Sequence, residues 1–341
     1  MTSPTPLYRP HELAFRTQYA EVKERANAAG ILLPGTPGTL YKRSGTGHEY
    51  WYRIYYPIPG KQAEEFVGPA QDDAVYKAML GRIAYAEWTV KQVANLRKLQ
   101  YQVADKSVAS VVVELHNRKI FEAGLVVVGT LAYMCWLNEY GAMAVAARTQ
   151  DVDLARRKRL KLATPVSFLS SLQATQLPFV KIPGTPSQAP STSFKLPGRE
   201  GLRVDVLAPG AVLGQIIQVP ELEWQAQAIP HYDYMLDDNQ KAVMLAGGHC
   251  IPIVLPRAER MIWHKLFAST ERTGAADKAR KDIVQAATLA AILVEQDGLS
   301  LKDSYRVAPA ALQTAALSQL PRIEPLLEAH PETLDALRSL Q

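Results

Sequence analysis

The chain has 341 residues, of which 48% are hydrophobic and 21% are charged, and its formal net charge at pH 7 is +5. This composition is too apolar for a disordered protein, and no apolar run reaches the roughly 18 residues that a membrane-spanning helix needs. We therefore expect a folded protein of two or three units without a membrane segment, and its basic charge favours an anionic partner such as a nucleotide or nucleic acid.

The first third of the chain is predicted to combine helices with a small antiparallel sheet. Residues 1–10 lack the basic start and apolar centre of a signal peptide, so we expect a cytoplasmic protein. Turn signals at 44–47 and 58–60 divide residues 38–69 into three strand-like runs, which predicts a β-meander. Helical patterns cover residues 11–29, 72–104 and 105–118. A first unit, helical with an inserted meander, is therefore predicted for residues 1–118.

A second unit, predicted for residues 119–255, contains most of the expected strands. The apolar run of residues 125–128 is typical of a buried strand, and it ends at Gly129-Thr130, directly before a helical segment at 131–140. Further strand-like segments lie at residues 143–147, 152–154, 202–207, 212–219 and 250–255. The Pro/Ser/Thr-rich residues 183–198 predict a loop.

The last part of the chain, residues 256–341, is predicted to be a helical unit. Helical patterns cover residues 256–269 and 275–296 and then shorter segments to the end. The three units together predict an α+β protein in which a mixed-sheet core lies between two largely helical units.

Three aspartates carry the strongest chemical signal in the sequence. Asp151 and Asp153 are two residues apart on a strand-like segment, so their carboxylates point to the same side. Asp205, flanked by valines, lies on another short strand that could run alongside. Converging carboxylates repel one another, and a hard divalent cation such as Mg²⁺ relieves that repulsion. Gly129-Thr130, at a strand end before a helix, adds backbone N–H groups and a hydroxyl that suit a triphosphate.

These residues resemble the signature of the nucleotidyltransferase fold, the DNA polymerase beta superfamily, in three motifs: Gly129-Thr130, Asp151-Val152-Asp153 and Val204-Asp205-Val206. The resemblance implies a nucleotidyltransferase-like mixed-sheet core with a two-metal Mg²⁺ site held by Asp151, Asp153 and Asp205. It implies that Asp205 binds the catalytic metal and helps to activate the acceptor hydroxyl. Gly129 and Thr130 would hold the phosphates of a nucleoside triphosphate.

Other parts of the chain extend this resemblance. The aromatic meander, with Thr149 two residues before Asp151, is similar to a bacterial group of nucleotidyltransferase-like proteins, and Thr149 is grouped with the nucleotide-binding residues. In related nucleotidyltransferases, including toxin-like ones, a helical half contributes a Lys and an Asp to the nucleotide site. The strings HKLF and KARKD are similar to that pattern, which implies nucleotide-binding roles for Lys265, Lys278 and Asp282. An exposed, salt-bridged helix face is the alternative interpretation.

The meander interleaves aromatic rings with cations, a pattern that suits base stacking with phosphate contacts. Period-two alternation places Trp51, Arg53 and Tyr55 on one face of the sheet and Tyr50 and Tyr52 on the other. The face of Trp51, Arg53 and Tyr55 is our candidate nucleic-acid surface. The alternative is that these rings pack the sheet onto its helices.

The predicted function is Mg²⁺-dependent transfer of a nucleoside monophosphate from a nucleoside triphosphate to a hydroxyl acceptor, with RNA or DNA as candidate acceptors. Two alternatives stay open at this point. One is a non-catalytic protein on the same fold that binds nucleic acid or another partner. The other is a toxin component that modifies transfer RNA or a protein, with the same chemistry and a different acceptor.

Overall fold

The computed structural model describes residues 4–45, 47–145, 149–184, 187–272 and 274–341. Parts of the predicted turn at 44–47, the predicted strand at 143–147 and the predicted loop at 183–198 lie outside these ranges. Within the described ranges, no helix combines the length and the hydropathy that crossing a bilayer requires.

The N-terminal region contains three helices and the predicted meander. In chain order its elements are β1 (Tyr8–Pro10), α1 (Leu13–Ala28), β2 (Thr39–Gly45), β3 (His48–Ile58), β4 (Lys61–Pro69), α2 (Asp73–Lys98) and α3 (Lys106–Asn117). Strands β2, β3 and β4 pair antiparallel in that order, as predicted. Helix α2 begins where the Asp72 side chain accepts hydrogen bonds from the N–H groups of Ala74 and Val75. It ends before Gln100, whose φ of 70° cannot continue a helix, so the predicted helix to residue 104 is too long.

The central region forms the main sheet. Its elements are β5 (Val126–Val127), α4 (Gly129–Glu139), β6 (Ala142–Ala144), β7 (Asp151–Ala155), α5 (Phe168–Ala174), β8 (Val180–Lys181), β9 (Ser193–Lys195), β10 (Arg203–Pro209), β11 (Ile216–Val219), β12 (Trp224–Ile229), α6 (Tyr232–Met235), β13 (Gln240–Ala246) and β14 (His249–Leu255). Seven strands make one sheet with the main order β11-β12-β10-β7-β5. Strand β10 is parallel to β7 and β12, whereas β9 pairs antiparallel with β10 and β8 with β9, so the sheet is mixed as predicted.

The C-terminal region is helical, as predicted. It comprises α7 (Ala258–Glu271), α8 (Ala276–Ala291) with a π-helical continuation at Ile292–Gln296, α9 (Lys302–Arg306), α10 (Ala310–Ile323) and α11 (Pro331–Arg338). Helices α7 and α8 pack against each other, and α10 packs against α7.

One apolar core connects the three regions. Val111 of α3, Val204 of β10 and Trp263 of α7 are all buried in the same cluster. Helix α4 is buried from Thr130 to Asn138 on every side, which explains why its sequence is apolar all round. The fold is α+β, and helices that precede and follow the sheet in the chain contribute side chains to the same core.

Several strands differ from the sequence prediction. Strand β9 lies inside the predicted loop at 183–198, because a three-residue strand has no pattern of its own and exists here through pairing with β10. Strands β1, β8, β12 and β13 are additional to the predicted ones. The alternating burial of Trp224–Ile229 shows that β12 did carry a period-two signal.

Candidate active site

Two neighbouring strands place the three aspartates on one face of the main sheet. Strands β7 and β10 are parallel, and their register pairs Asp153 with Asp205 and Asp151 with Arg203. Because alternate residues of a strand share a face, all four of these side chains lie on the same side of the sheet. The residues between them, Val152, Leu154 and Val204, are fully buried on the other side. The hydrophobic flanks of the aspartates therefore anchor the strands in the core and turn the carboxylates out of it.

The start of helix α4 lies against Asp153, and Gly129 makes this approach possible. Gly129 has a φ of +68°, and a Cβ atom at this position would lie 2.2 Å from Oδ2 of Asp153. Any other residue would therefore clash with the carboxylate and adopt a strained backbone. Among the described residues no side chain caps the N-terminus of α4, so Gly129 and Thr130 begin a helix whose first N–H groups have no side-chain acceptor and lie beside Asp153.

Thr149 supports the same strand from its N-terminal side. Its Oγ1 accepts a hydrogen bond of 3.1 Å from the backbone N–H of Asp151. This contact sets the direction in which the chain enters β7. Thr149 thus positions Asp151, in addition to lining the same cavity.

The aspartates line a cavity of about 470 Å³ between the sheet, α4 and the helices α7 and α8. All nine residues that the sequence grouped in the active site lie around it: Gly129, Thr130, Thr149, Asp151, Asp153, Asp205, Lys265, Lys278 and Asp282. The wall opposite the sheet is basic, with the cations Lys265, Arg272, Lys278 and Lys281 against the carboxylates of Glu271 and Asp282. The cavity therefore places acidic groups on one side and an excess of cations on the other.

The basic wall is organised around a buried ion pair. Lys265 and Asp282 are 6% and 5% exposed, and Nζ of Lys265 donates to Oδ1 of Asp282 over 3.1 Å. Nε of Arg272 lies 3.1 Å from the other carboxylate oxygen. Burial, with Lys265 as the next cause, lowers the pKa of Lys281. Asp282 thus holds two cations in place, and the crowding of positive charge makes this wall suitable for an anionic ligand.

A third part of the cavity is apolar. It is formed by Leu207, Ile229, Pro230, Tyr232, Met235 and Phe267. His264 belongs to this wall, and its Nε2 lies 3.1 Å from the carbonyl oxygen of Pro230. Burial lowers the pKa of His264 to about 4, so the imidazole is neutral at pH 7. An uncharged wall of rings and aliphatic groups suits the flat face of a base or a sugar.

The carboxylates have chemistry that fits a divalent cation. Burial, followed by the charges of Asp205 and Asp151, raises the pKa of Asp153 to about 7. Burial also raises the pKa of Asp205, although Ser193 and Arg203 act in the opposite direction. Carboxylate oxygens are the ligands that Mg²⁺ prefers. A bound cation would relieve the repulsion between the carboxylates that contributes to the raised pKa of Asp153.

Asp205, however, is engaged by its neighbours on the sheet. Nε of Arg203 lies 2.9 Å from Oδ1 and 2.8 Å from Oδ2 of Asp205, and the hydroxyl of Ser193 donates to Oδ1. Among the described residues, no three His, Cys, Asp or Glu side chains are grouped so that they could hold a metal ion. The expected three-carboxylate cluster is therefore incomplete in this arrangement. The carboxylate of Asp205 would have to release Arg203 before it could bind the metal.

Sequence reasoning missed Arg203, Ser193 and Arg272. Arg203 had a signal, because a residue two positions before Asp205 on a strand must share its face. Ser193 had none, since its short strand forms only through pairing with β8 and β10. Arg272 follows the end of α7, and it reaches Asp282 only because α7 packs against α8.

The structure places the candidate nucleic-acid residues of the meander against the protein. Trp51 stacks on Tyr76 of α2 with ring centroids 4.5 Å apart, and Tyr55 lies under the Arg53 guanidinium at 4.0 Å. Arg53 is 0% exposed and pairs with Glu65 at 2.9 Å. Its guanidinium also donates to three backbone carbonyls, those of Pro34, Thr36 and Pro37. Because the Arg53 side chain is fully buried, it is not accessible to a phosphate in this arrangement, which argues against the predicted contact with nucleic acid.

The open face of the meander is the one that carries Tyr50 and Tyr52. Its rings are Tyr41, Tyr50, Tyr52 and Phe66, which contact one another, and Phe66 is 58% exposed. Gly68 on β4 shows which face of the meander packs on α2, because a Cβ atom at this position would lie 2.8 Å from a methyl group of Val75. This glycine lets α2 approach the side of the sheet that carries Trp51.

Comparison with known proteins gives two matches. A family model described as nucleotidyltransferase matches residues 106–309, which is more than half of the chain. Among solved structures, an antigenic nucleotidyltransferase-like protein from Paracoccidioides brasiliensis is similar, with 17% identity over 68% of this chain and 91% of that chain, at a TM-score of 0.37. Comparison with curated proteins gives no match.

Proposed function

Since this chain belongs to the nucleotidyltransferase family whose model spans residues 106–309, we propose that it transfers a nucleoside monophosphate from a nucleoside triphosphate to a hydroxyl acceptor with the help of Mg²⁺. The observation that carries this proposal is the arrangement of the cavity. Three carboxylates on one sheet face lie opposite a basic wall from α7 and α8, with the N-terminus of α4 against Asp153. A triphosphate needs both parts, because its charge must be matched by cations while metal ligands hold its reacting phosphate.

The basic wall and the helix start would bind the nucleotide. Lys265 and Arg272, oriented by Asp282, would contact the β- and γ-phosphates, and the more exposed Lys278 would add charge at the cavity mouth. The N–H groups at the start of α4 would donate to phosphate oxygens. The apolar wall around Tyr232 would then take the base or sugar.

The aspartates would act at the α-phosphate. Asp151 and Asp153 would hold Mg²⁺, and Asp205 would join them after Arg203 releases it. When bound, Mg²⁺ would neutralise charge on the phosphate oxygens and lower the pKa of the acceptor hydroxyl. Asp205 would take the hydroxyl proton as the acceptor oxygen forms a bond to the α-phosphorus. The bond between the α-phosphorus and its bridging oxygen would break, and pyrophosphate would leave.

Label transfer tests this proposal. The protein is incubated with Mg²⁺, one nucleoside triphosphate labelled at the α-phosphate, and total cellular RNA or protein. We expect label in one acceptor pool, and none when the same nucleotide carries its label on the γ-phosphate. An Asp153→Asn variant should lose transfer because one metal ligand loses its charge. Absence of transfer from every triphosphate to either pool would contradict the proposal, and label in protein would identify the acceptor expected of a protein-modifying toxin.

A further inference from the structure

The face of the sheet that carries the aspartates continues beyond them onto β9 and β8. Strand β9 pairs with β10 so that Ser193 is opposite Asp205 and Lys195 is opposite Arg203. Paired residues of neighbouring strands point to the same side, and neighbouring strands are about 4.8 Å apart. Arg203 and Lys195 therefore form a row of cations that leads away from the carboxylates along one sheet face.

Beyond Arg203, which pairs with Asp205, this row has positive charge that the described side chains do not neutralise. Within the described residues, Lys195 forms no ion pair, and its Nζ donates to the backbone carbonyl of Arg199 over 3.1 Å. Arg199 itself is exposed and also has no carboxylate partner among the described side chains. The segment 177–203 contains four cations and a single acidic residue, Glu200.

An acceptor rich in phosphate would need these cations. A strand of nucleic acid that brings its hydroxyl to Asp205 must pass three carboxylates, which repel its backbone over a distance of about 8 Å at physiological salt. Cations one strand away offset that repulsion. A small phosphorylated acceptor would use Arg203 alone, whereas Lys195 and Arg199 extend the row outside the cavity.

We propose that Arg203 and Lys195 bind the backbone phosphates of a nucleic-acid acceptor whose terminal hydroxyl reaches Asp205. The acceptor of the transfer is then a nucleic-acid strand and not a protein side chain or a free nucleotide. This inference rests on the proposed function for the role of Asp205, but the contact itself is measured by binding alone.

The β8–β9 hairpin offers a matched control. In the pairing of β8 with β9, Val180 lies opposite Lys195 and Lys181 lies opposite Phe194, the neighbour of Lys195. Lys181 therefore lies on the opposite face, where its Nζ is 5.2 Å from the ring centroid of Trp224. The substitutions Lys195→Glu and Lys181→Glu change the charge of the same hairpin by the same amount, on opposite sides of the sheet.

The experiment measures fluorescence anisotropy of a 5′-fluorescein-labelled 12-nucleotide single-stranded RNA, titrated with the full chain in Mg²⁺ without triphosphate. We expect Lys195→Glu to weaken binding about tenfold, Lys181→Glu to stay within about twofold, and Lys195→Ala to lower the salt dependence by about one phosphate contact. A DNA strand of the same sequence should respond to Lys195 in the same way, because the contact is to phosphate. The melting temperature of each variant confirms that it is folded.

Equal weakening by the two charge reversals, or no RNA binding by the unmodified chain, would overturn the proposal. So would a Lys195 effect on binding of free AMP that is as large as its effect on RNA. Failure of the proposed function would look different: label transfer would be absent while RNA binding still depended on Lys195. The Asp153→Asn variant separates the two, since it should lose transfer and retain the RNA contact.

Discussion

The carboxyl group of Asp153 experiences most of the electrostatic repulsion in the site. Helix α4 begins against one of its oxygens, and Asp151 and Asp205 share its sheet face. Burial and these two charges raise its pKa to about 7, with Lys265 only partly offsetting them. The folded protein without metal therefore retains a proton on Asp153 at a pH where an unfolded chain would have released it.

This shift predicts a dependence of stability on pH. The pKa of Asp153 is higher in the folded chain than its ordinary value of 3.8, so the folded state binds more protons between about pH 4 and 7. The free energy of unfolding in EDTA should therefore fall as the pH rises through this window, by roughly 2–4 kcal/mol, and level off above it. Urea unfolding at pH 5 and pH 8 measures the change.

The Asp153→Asn variant is the control for this prediction. It has no proton to lose at this position, so its stability should change less between pH 5 and pH 8 than that of the unmodified chain. Mg²⁺ should stabilise the unmodified protein more at pH 8 than at pH 5, because protonation competes with the metal. An equal fall in both proteins would show that Asp153 is not the group responsible.

Lys265 is the cation that the buried ion pair orients toward the cavity. Lys265→Ala should weaken binding of a non-hydrolysable ATP analogue about tenfold, because it removes a charged donor. It should also lower stability by about 1–3 kcal/mol, less than the loss of a lone buried partner, since Asp282 still faces Arg272. Calorimetric titration and urea unfolding measure the two effects.

Lys278→Ala provides the comparison for Lys265, since Lys278 lines the same cavity but is exposed. Its loss should reduce ATP-analogue binding less and leave stability within about 0.5 kcal/mol. Unchanged affinity in Lys265→Ala together with a clear loss in Lys278→Ala would move the phosphate contact to Lys278.

At the level of elements, helix α2 gives the meander its orientation. Asp72 caps the helix, and Gly68 allows close packing of the sheet on it, so that Trp51 meets Tyr76. The cation and rings on this side brace the sheet, which is the alternative that the alternating pattern left open. The exposed rings belong to the opposite face.

Trp51→Ala should therefore act on stability and not on nucleic-acid binding. We expect a loss of about 1–3 kcal/mol in the free energy of unfolding, because a half-buried ring loses its stacking partner. Phe66→Ala, on the open face, should change it by less than about 0.5 kcal/mol. Urea unfolding and RNA anisotropy on both variants provide the test. Normal stability with weaker RNA binding in Trp51→Ala would restore a nucleic-acid role for Trp51.

At the scale of the whole molecule, the apolar core is shared across the predicted unit boundaries at residues 118 and 255. Helix α3 packs on α5, β13 and β14, while α4 contacts β7 on one side and α8 on another. The apolar core is therefore built from elements of all three predicted units. Cutting the chain at those boundaries would separate side chains that are buried together.

A fragment of residues 119–255 should accordingly lack a packed core. Without α3, α7 and α8 it would expose buried side chains of the shared cluster, such as Leu131 and Val204, to water. We expect poor dispersion of its amide proton resonances and binding of a hydrophobic dye, in contrast to the full chain. A well-dispersed spectrum would show that residues 119–255 fold as an independent domain.

Particular residues show how far the sequence could be interpreted. Asp151 and Asp153 were assigned to one face by period-two spacing, and the register with β10 adds Asp205 to that face. The meander and the C-terminal helices were predicted from turn residues and helical periodicity, which are local signals. For the meander, alternation distinguished two faces without showing which one a distant helix covers, and the structure places Trp51 against Tyr76 of α2.

By itself, the sequence determined the class of fold, the order of the main elements and nine of the residues that line the cavity, because strand alternation and helix starts depend on neighbouring residues. Only the tertiary structure decided that Arg203 and Ser193 bind the carboxylate of Asp205. The same is true of the ion pairs of Asp282 with Lys265 and Arg272, and of the burial of Arg53. Most of these contacts join residues on different strands, helices or loops. Charge pairing of this kind depends on which strands become neighbours and which helices pack together, and no local pattern specifies that choice.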